Sequence, residues 1–400
     1  MGKIKDILAL DQHGQKLYQC MADDKACKAL SSDARAFALL QRDLAPKAEL
    51  KLPGWALKKC LFTRRALEQC SSEALAHYKA TRYSGVHCID LSGGLGVDAV
   101  TFARSFEEVT SIDPDEDLHV LFMHNVKQLG LRNIHRIQGD ALSVLQGLQS
   151  RADLIFLDPD RRDKQGGKRL VGFQHYQPNP LELYRLFGHL GRRWLMKFSP
   201  LDDIKAIMDA FTGLKSISVL SKDAEVKELL LELIPEYSGT TEIAAVFIGQ
   251  GSNDTYSYHL GGSSLFQGNP SSAEPLQWLY EPASALIKSA YLKNTKHRMQ
   301  ALNASGTLWT SVQRADLPGR WVKISVVKKD FSLRKMSRFL EEQGIQSGLV
   351  KTRDFPIGSE QARTLLGIAE GEDYAIYLTK TGNTALMIMG EISRDSGKEH

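Results

Sequence analysis

The sequence predicts an α/β chain: a doubly wound parallel sheet in the middle, a helical domain before it and a small α+β domain after it. Three observations carry this. From about residue 85 to 250, short apolar runs alternate with amphipathic segments. The first 84 residues lack strand-like alternation. Past a Gly/Ser/Asn-rich stretch, 249–264, the texture changes again. At 400 residues, 42% hydrophobic and 24% charged, the chain exceeds one ordinary domain and is neither disordered nor fibrous.

Taken in order, residues 1–84 are expected to form a helical domain. Leu67, Cys70, Ala74 and Tyr78 recur at helical spacing in a single run. Seven strands are expected over 85–250: 86–91, 108–113, 133–140, 152–158, 193–198, 215–221 and 241–249. Between them VDAVTFARSF, DLHVLFMHNVKQLG, LDDIKAIMDAFTG and DAEVKELLLELIP read as helices. Residues 251–275 read as a linker and 276–322 as a small α/β connecting segment, ferredoxin-like in outline. Over 323–394, WVKISVVKKDF, SLRKMSRFLEEQG, SGLVKTRDF, SEQARTLLG, DYAIYLTKTG and TALMIMGEI predict β-α-β-α-β-β.

Composition excludes several classes. No apolar run approaches the roughly 20 residues that span a bilayer, and the N-terminus has no signal-peptide core. A cytoplasmic protein without membrane partners is expected. Five cysteines with no CxxC pair argue against a disulfide framework or a zinc knuckle, and no HExxH occurs, so no metal is expected. Net charge is only +4, but its distribution is uneven. From Lys288 to Arg338 twelve basic residues face two acids, and the first 84 residues hold 15 Lys/Arg against 9 Asp/Glu. Basic flanks around a more acidic middle suit a polyanion, nucleic acid above all; the plainer reading is solvated surface.

The strongest motif runs from Asp90 through Ser92, Gly93, Gly94 and Gly96 to Asp98, after the first strand and into the first helix. Glycines let the backbone approach a ligand, and a helix N-terminus offers free N–H groups. Gly94-x-Gly96-x-x-Ala99 also fits a dinucleotide fingerprint, so two cofactors stay open at this point. The following acids favour one. Asp113, before Pro114, suits ribose hydroxyls. Asp140, before Ala141, or its backbone suits an adenine amino group. Asp158 opens Asp158-Pro159-Asp160-Arg161-Arg162 after the fourth strand. One acid after each of four strands lines the edge where open α/β sheets bind ligands. S-adenosylmethionine needs that row; a nicotinamide pyrophosphate sits poorly on it. Helix caps and turn acids are the structural alternative.

Several blocks then resemble the bacterial class I methyltransferases with a C-terminal THUMP-like domain. They are Arg65-Ala-Leu-Glu-Gln-Cys-Ser-Ser72, Tyr78-Lys-Ala80, Asp90 to Asp98 and Asp158-Pro-Asp-Arg-Arg-Asp163. Lys197-Phe-Ser-Pro200, Glu225-Val-Lys-Glu-Leu229 and Tyr280-Glu-Pro282 complete the set. The family more often has Ala where Asp160 stands. The resemblance implies a Rossmann-like, seven-stranded methyltransferase domain acting on RNA, tRNA or rRNA.

In that frame Asp158, Pro159, Asp160 and Arg161 are the expected catalytic loop, with Asp158 accepting a hydrogen bond or proton from a base nitrogen. Arg161 stacks on the base or holds phosphate, or else pairs with its neighbouring acids. Asp90, Ser92, Gly93, Gly94, Gly96, Asp98, Asp113, Pro114, Asp140, Ala141 and Asp158 are the expected cofactor residues. Arg65, Lys79, Arg162, Lys197, Lys328, Lys329, Arg334, Lys335 and Arg338 are the expected RNA contacts. Gln69, Ser71 and Ser72 reach the donor or merely cap a helix. Trp309, Trp321 and Phe331 stack on bases or fill the core. The competing functions are a protein or small-molecule methyltransferase and an RNA-binding protein that holds the cofactor without turnover.

Overall fold

The computed structural model describes residues 4–10, 15–23, 25–160, 172–249, 252–260 and 273–393. The chain divides into two compact units, 1–216 with 229–239, and 217–228 with 240–400.

The first unit opens with helices α1 (Ile4–Leu10), α2 (Gln15–Ala22), α3 (Ser32–Lys51), α4 (Pro53–Leu57), α5 (Arg64–Gln69) and α6 (Glu73–Ala80). The single helix expected over 64–83 is two. Thr63 caps α5, Ser72 caps α6, and extended backbone at Cys70 and Ser72 breaks the run. Cys20 and Cys27 form a disulfide, so one bridge exists where the cysteine pattern argued against a framework. Ile4, Leu17, Phe37 and Leu61 bury themselves against Leu121, which belongs to a helix of the sheet domain described next. The helical segment therefore shares a core with that domain.

An alternating series follows: β1 (Gly85–Asp90), α7 (Val97–Phe102), β2 (Phe106–Asp113), α8 (Glu116–Leu129), β3 (Ile134–Gln138), α9 (Ala141–Gly147), β4 (Leu154–Leu157), α10 (Pro180–Phe187), β5 (Trp194–Phe198) and α11 (Ile204–Ala210). Then come β6 (Leu214–Lys222), β7 (Glu225–Leu233), β8 (Thr241–Ile248) and β9 (Asn253–Leu260). The sheet order is β3-β2-β1-β4-β5-β7-β6-β8-β9. Strands β1 to β5 pair in parallel, and β7 runs antiparallel to β5. This Rossmann-like order puts the carboxyl ends of β1, β2, β3 and β4 along one rim.

Two sequence expectations fail here. The helix expected over 223–235 is β7. Leu229–Leu233 are all buried, including Glu232, and a strand buried on both faces reads as a continuous apolar run. Asp223 and Ala224 both take positive φ, which makes the tight turn that a two-residue hairpin needs. The stretch 249–264, read as a boundary, carries β9, whose alternating burial is that of an outer strand.

The second unit adds β10 (Trp278–Pro282), α12 (Ser284–Lys288), α13 (Tyr291–Asn294), β11 (Gln300–Ala301), β12 (Trp309–Ser311), β13 (Gly319–Lys329), α14 (Leu333–Glu342), β14 (Leu349–Thr352), α15 (Ser359–Leu366), β15 (Tyr374–Thr381) and β16 (Thr384–Ile392). Its seven-stranded sheet runs β11-β12-β10-β13-β16-β15-β14, and the β-α-β-α-β-β run matches the sequence pattern. Met336, Leu340, Ala362 and Leu366 of α14 and α15 pack on Ile376, Leu378, Met387 and Met389. Buried Glu281 ties three strands together, with Arg320 at 2.8 Å, the Tyr377 hydroxyl at 2.7 Å and Arg353 close by. Trp309 and Trp321 are buried, and Trp321 stacks on Tyr280 at 4.3 Å, so neither is open to a base.

Candidate active site

Parallel pairing brings Asp90, at the end of β1, between β2 and β4. Its carboxylate accepts from the Ser92 N–H at 3.0 Å and from Ser111 Oγ at 3.4 Å. Burial pushes this carboxyl up to about 7, with Asp98 and Asp158 adding to the rise and Arg136 opposing it. Ser92 Oγ accepts from the Asp158 N–H at 2.6 Å and so joins the loops after β1 and β4.

The glycine loop is tight for a stated reason. A Cβ on Gly93 would lie 2.4 Å from Ser111 Oγ. Gly96 has φ +91°, and a Cβ there would lie 2.3 Å from the Phe122 ring. Gly94 differs: the nearest atom to its added Cβ is at 3.8 Å, so one side of the loop is open at this residue. The Gly94 N–H donates to Asp113 at 2.7 Å, and the Asp115 N–H donates to the other Asp113 oxygen at 2.9 Å. Pro114, between them, is exposed.

Asp140 is the N-cap of α9, accepting from the Ser143 N–H at 2.9 Å and Ser143 Oγ at 2.7 Å. Those bonds hold its carboxyl below the ordinary value. Of the two sequence options at this position, the backbone beside Ala141 is thereby favoured over the carboxylate.

At the end of β4, Asp158 receives Lys197 Nζ at 2.6 Å. Pro159 is buried, and Asp160 exchanges backbone hydrogen bonds with Gln177 at 2.9 Å. The Asp160 carboxylate lies 3.4 Å from Arg65 Nη2. Arg161 and Arg162 lie outside the described residues. Lys197 and Arg65, expected at RNA, are thus placed against Asp158 and Asp160 of the loop after β4.

Lys79 requires a correction. Expected at a phosphate, it is fully buried, with Nζ 2.8 Å from Asp98 and 3.0 Å from Ser71 Oγ. Ser71 Oγ in turn donates to Asp98 at 2.8 Å. No phosphate reaches Lys79, and the Asp98 carboxylate, expected at the cofactor, is committed to holding α6 against the start of α7. Burial would lift the Asp98 carboxyl, but Lys79, Lys197 and Ser71 outweigh it and hold it below its ordinary value. Ser72, the other serine of that block, caps α6.

In the second unit Arg334, Lys335 and Arg338 stand exposed on α14. Lys329 pairs with Glu274 at 2.6 Å, and Lys328 sits 4.6 Å above the Phe339 ring. Phe331 stacks on Phe355. Among the described residues no group of three His, Cys, Asp or Glu is placed to hold a metal ion, and no helix is long and apolar enough to cross a membrane.

Sequence reasoning passed over Arg136. It lies under the glycine loop, and its guanidinium donates to the Gly94 carbonyl at 3.0 Å.

Known proteins match this site and the wider fold. Residues 86–178 match the sequence family described as RNA cap guanine-N2 methyltransferase. An uncharacterized S-adenosylmethionine-dependent methyltransferase of Mycobacterium tuberculosis is 23% identical over 358 residues, covering 87% of this chain and 92% of its own. A crystal structure from Porphyromonas gingivalis W83, provisionally assigned as a methyltransferase, superposes with a TM-score of 0.83 at 21% identity. It covers 98% of this chain and 99% of that one, and it shows the fold.

The chain has a Rossmann-like methyltransferase fold, and these likenesses support S-adenosylmethionine as the cofactor. The site fits that cofactor by its own geometry. The open side of Gly94 gives room for a close approach, Asp113 keeps lone pairs for ribose hydroxyls, and buried Asp90 is an acidic partner for a cationic group when ionised.

Proposed function

We propose that this protein transfers a methyl group to a base nitrogen of structured RNA, either tRNA or rRNA. One observation carries the reading: Asp158 ends β4 beside the cofactor cradle, fixed there by Ser92 through its N–H and by Lys197 through its carboxylate. The match of residues 86–178 to an RNA-modifying family supports RNA as the substrate. So does the exposed basic face of α14, in a 323–393 domain that we read as THUMP-like and RNA-gripping.

Bound in the cradle, S-adenosylmethionine supplies an electrophilic methyl on a sulfonium. The protein positions the acceptor for in-line attack and handles its proton. The Lys197 ammonium holds one Asp158 carboxylate oxygen in place, leaving the other to accept the N–H of an exocyclic amine or ring nitrogen. Once the nitrogen has taken the methyl group, that proton would pass to Asp158 and on to water. Asp160, held by Arg65 and the Gln177 backbone, shapes the wall of the loop.

The test is mass spectrometry of RNA nucleosides from cells with and without the gene. Purified protein is then given the undermethylated RNA and labelled cofactor. Loss of one methylated nucleoside, restored by wild type and not by D158A, is expected. Label entering protein or small molecules while every RNA stays unlabelled would replace this reading.

A further inference from the structure

Arg136 stands on β3 opposite Ser111 of β2, and only 8% of it is exposed. Its guanidinium lies 4.0 Å from the centre of the Phe122 ring, which belongs to α8. Nη2 donates to the Gly94 carbonyl at 3.0 Å. A Cβ on Gly93 would lie 2.9 Å from this guanidinium, and a Cβ on Gly96 would strike Phe122. The Arg136–Phe122 stack is therefore the floor on which the glycine loop rests. Nε and Nη1 are buried with no hydrogen-bond partner among the described residues, which is an expensive state unless charge compensates it.

We propose that Arg136 is a positioning residue of the cofactor site, which sets the path of the glycine loop through Gly94 and supplies a buried positive charge beside Asp90 and Asp113. Both carboxylates are the guanidinium's electrostatic partners, and neither is within ion-pair contact of it. Arg136 thus acts through the loop and the field and need not touch the cofactor. The groups facing Asp90 are Cys88 on its own strand, Ser92 in the loop, Asp98 on α7, Ser111 on β2, Arg136 on β3 and Asp158 after β4. Lys79 pairs with Asp98 and Lys197 with Asp158, so among the described residues Arg136 is the cation left for Asp90 and Asp113.

The experiment measures cofactor affinity of full-length wild type, R136M and R136K by titration calorimetry with S-adenosylmethionine from pH 6 to 9, with a melting curve for each. Wild type should bind, more weakly at the acid end. R136M should bind about tenfold to hundredfold more weakly, as loss of a charged hydrogen bond implies. Its acid midpoint should move up by roughly one unit. R136K restores the charge without the flat stack, so its midpoint should return to wild type while affinity stays several-fold weaker. A folded R136M with wild-type affinity and midpoint would overturn the proposal. If R136M fails to fold, R136K decides, and wild-type affinity in R136K would overturn the loop-setting role. Wild type that binds no cofactor would overturn the cofactor assignment together with this proposal.

Discussion

Replacing Lys79 by Met keeps most of the side-chain volume and removes the charge. In the native protein the ammonium is fully buried, 2.8 Å from Asp98 and 3.0 Å from Ser71 Oγ. The variant leaves an ionised carboxylate, itself 8% exposed, with only the Ser71 hydroxyl. Removing one partner of a buried pair costs about 3–5 kcal/mol, whereas removing both is often close to neutral. Urea unfolding followed by circular dichroism should show K79M destabilised by that amount and K79M/D98N destabilised far less. Hydrogen exchange should place the loss in α6 and α7. The wild-type contribution is also pH-dependent. Asp98 is held below its ordinary value, so the stability it confers is present above the unfolded carboxylate pKa and is lost as pH falls through the lower, folded one. K79M should have lost this acid-range dependence. A K79M protein as stable as wild type, or a double variant less stable than K79M, would refute the buried-pair argument.

D113A should weaken cofactor binding by about 1.5–3 kcal/mol per lost hydrogen bond, read by calorimetry, with a further loss because Asp113 also anchors the Gly94 N–H. G96A should abolish cofactor binding while leaving a folded protein by circular dichroism, because φ +91° and the Phe122 ring leave no place for a Cβ. D158A should retain cofactor affinity within a few-fold and lose methyl transfer in the labelled assay. Changing Arg334, Lys335 and Arg338 to Ala should lower the salt slope of RNA binding by about two to three, read by filter binding at several salt concentrations.

The sheet was legible because its strands are continuous apolar runs bounded by turn residues, and those runs survive any tertiary context. The helix expected over 223–235 failed for the same reason in reverse: Leu229–Leu231 and Leu233 satisfy a helical face and a buried strand equally well. Only the two positive φ angles at Asp223 and Ala224 decide it, and neither residue advertises them. The acid row was legible from strand ends alone. Its counter-charges were not, because a lysine on a short helix looks solvated until its neighbours are known. Lys79 did carry a signal, since it falls one turn after buried Leu75. Arg136 carried another. It shares the strand parity of buried Ile134, while Ile137, of the opposite parity, is 41% exposed.

The balance of these charges predicts what the proposed cofactor site should select. Asp90, Asp98, Asp113 and Asp158 face Arg136, Lys79 and Lys197, each cation delivered by a different element, and Asp160 pairs with Arg65 outside that set. Among the described residues, four carboxylates against three cations make an excess of one acid. S-adenosylmethionine, with a sulfonium, an ammonium and a carboxylate, carries one positive charge, which should offset that excess in the proposed site. S-adenosylhomocysteine, lacking the sulfonium charge, should not, and should leave more readily after transfer. Burial pushes the Asp90 carboxyl up to about 7, so its protonation removes one negative charge from the site. Discrimination between the two ligands should therefore shrink as pH falls below 7, and it should be small at all pH values in D90N. Calorimetry of both ligands from pH 6 to 9 measures it, and a ratio of affinities that is flat across that range in wild type would show that Asp90 does not hold the deciding charge.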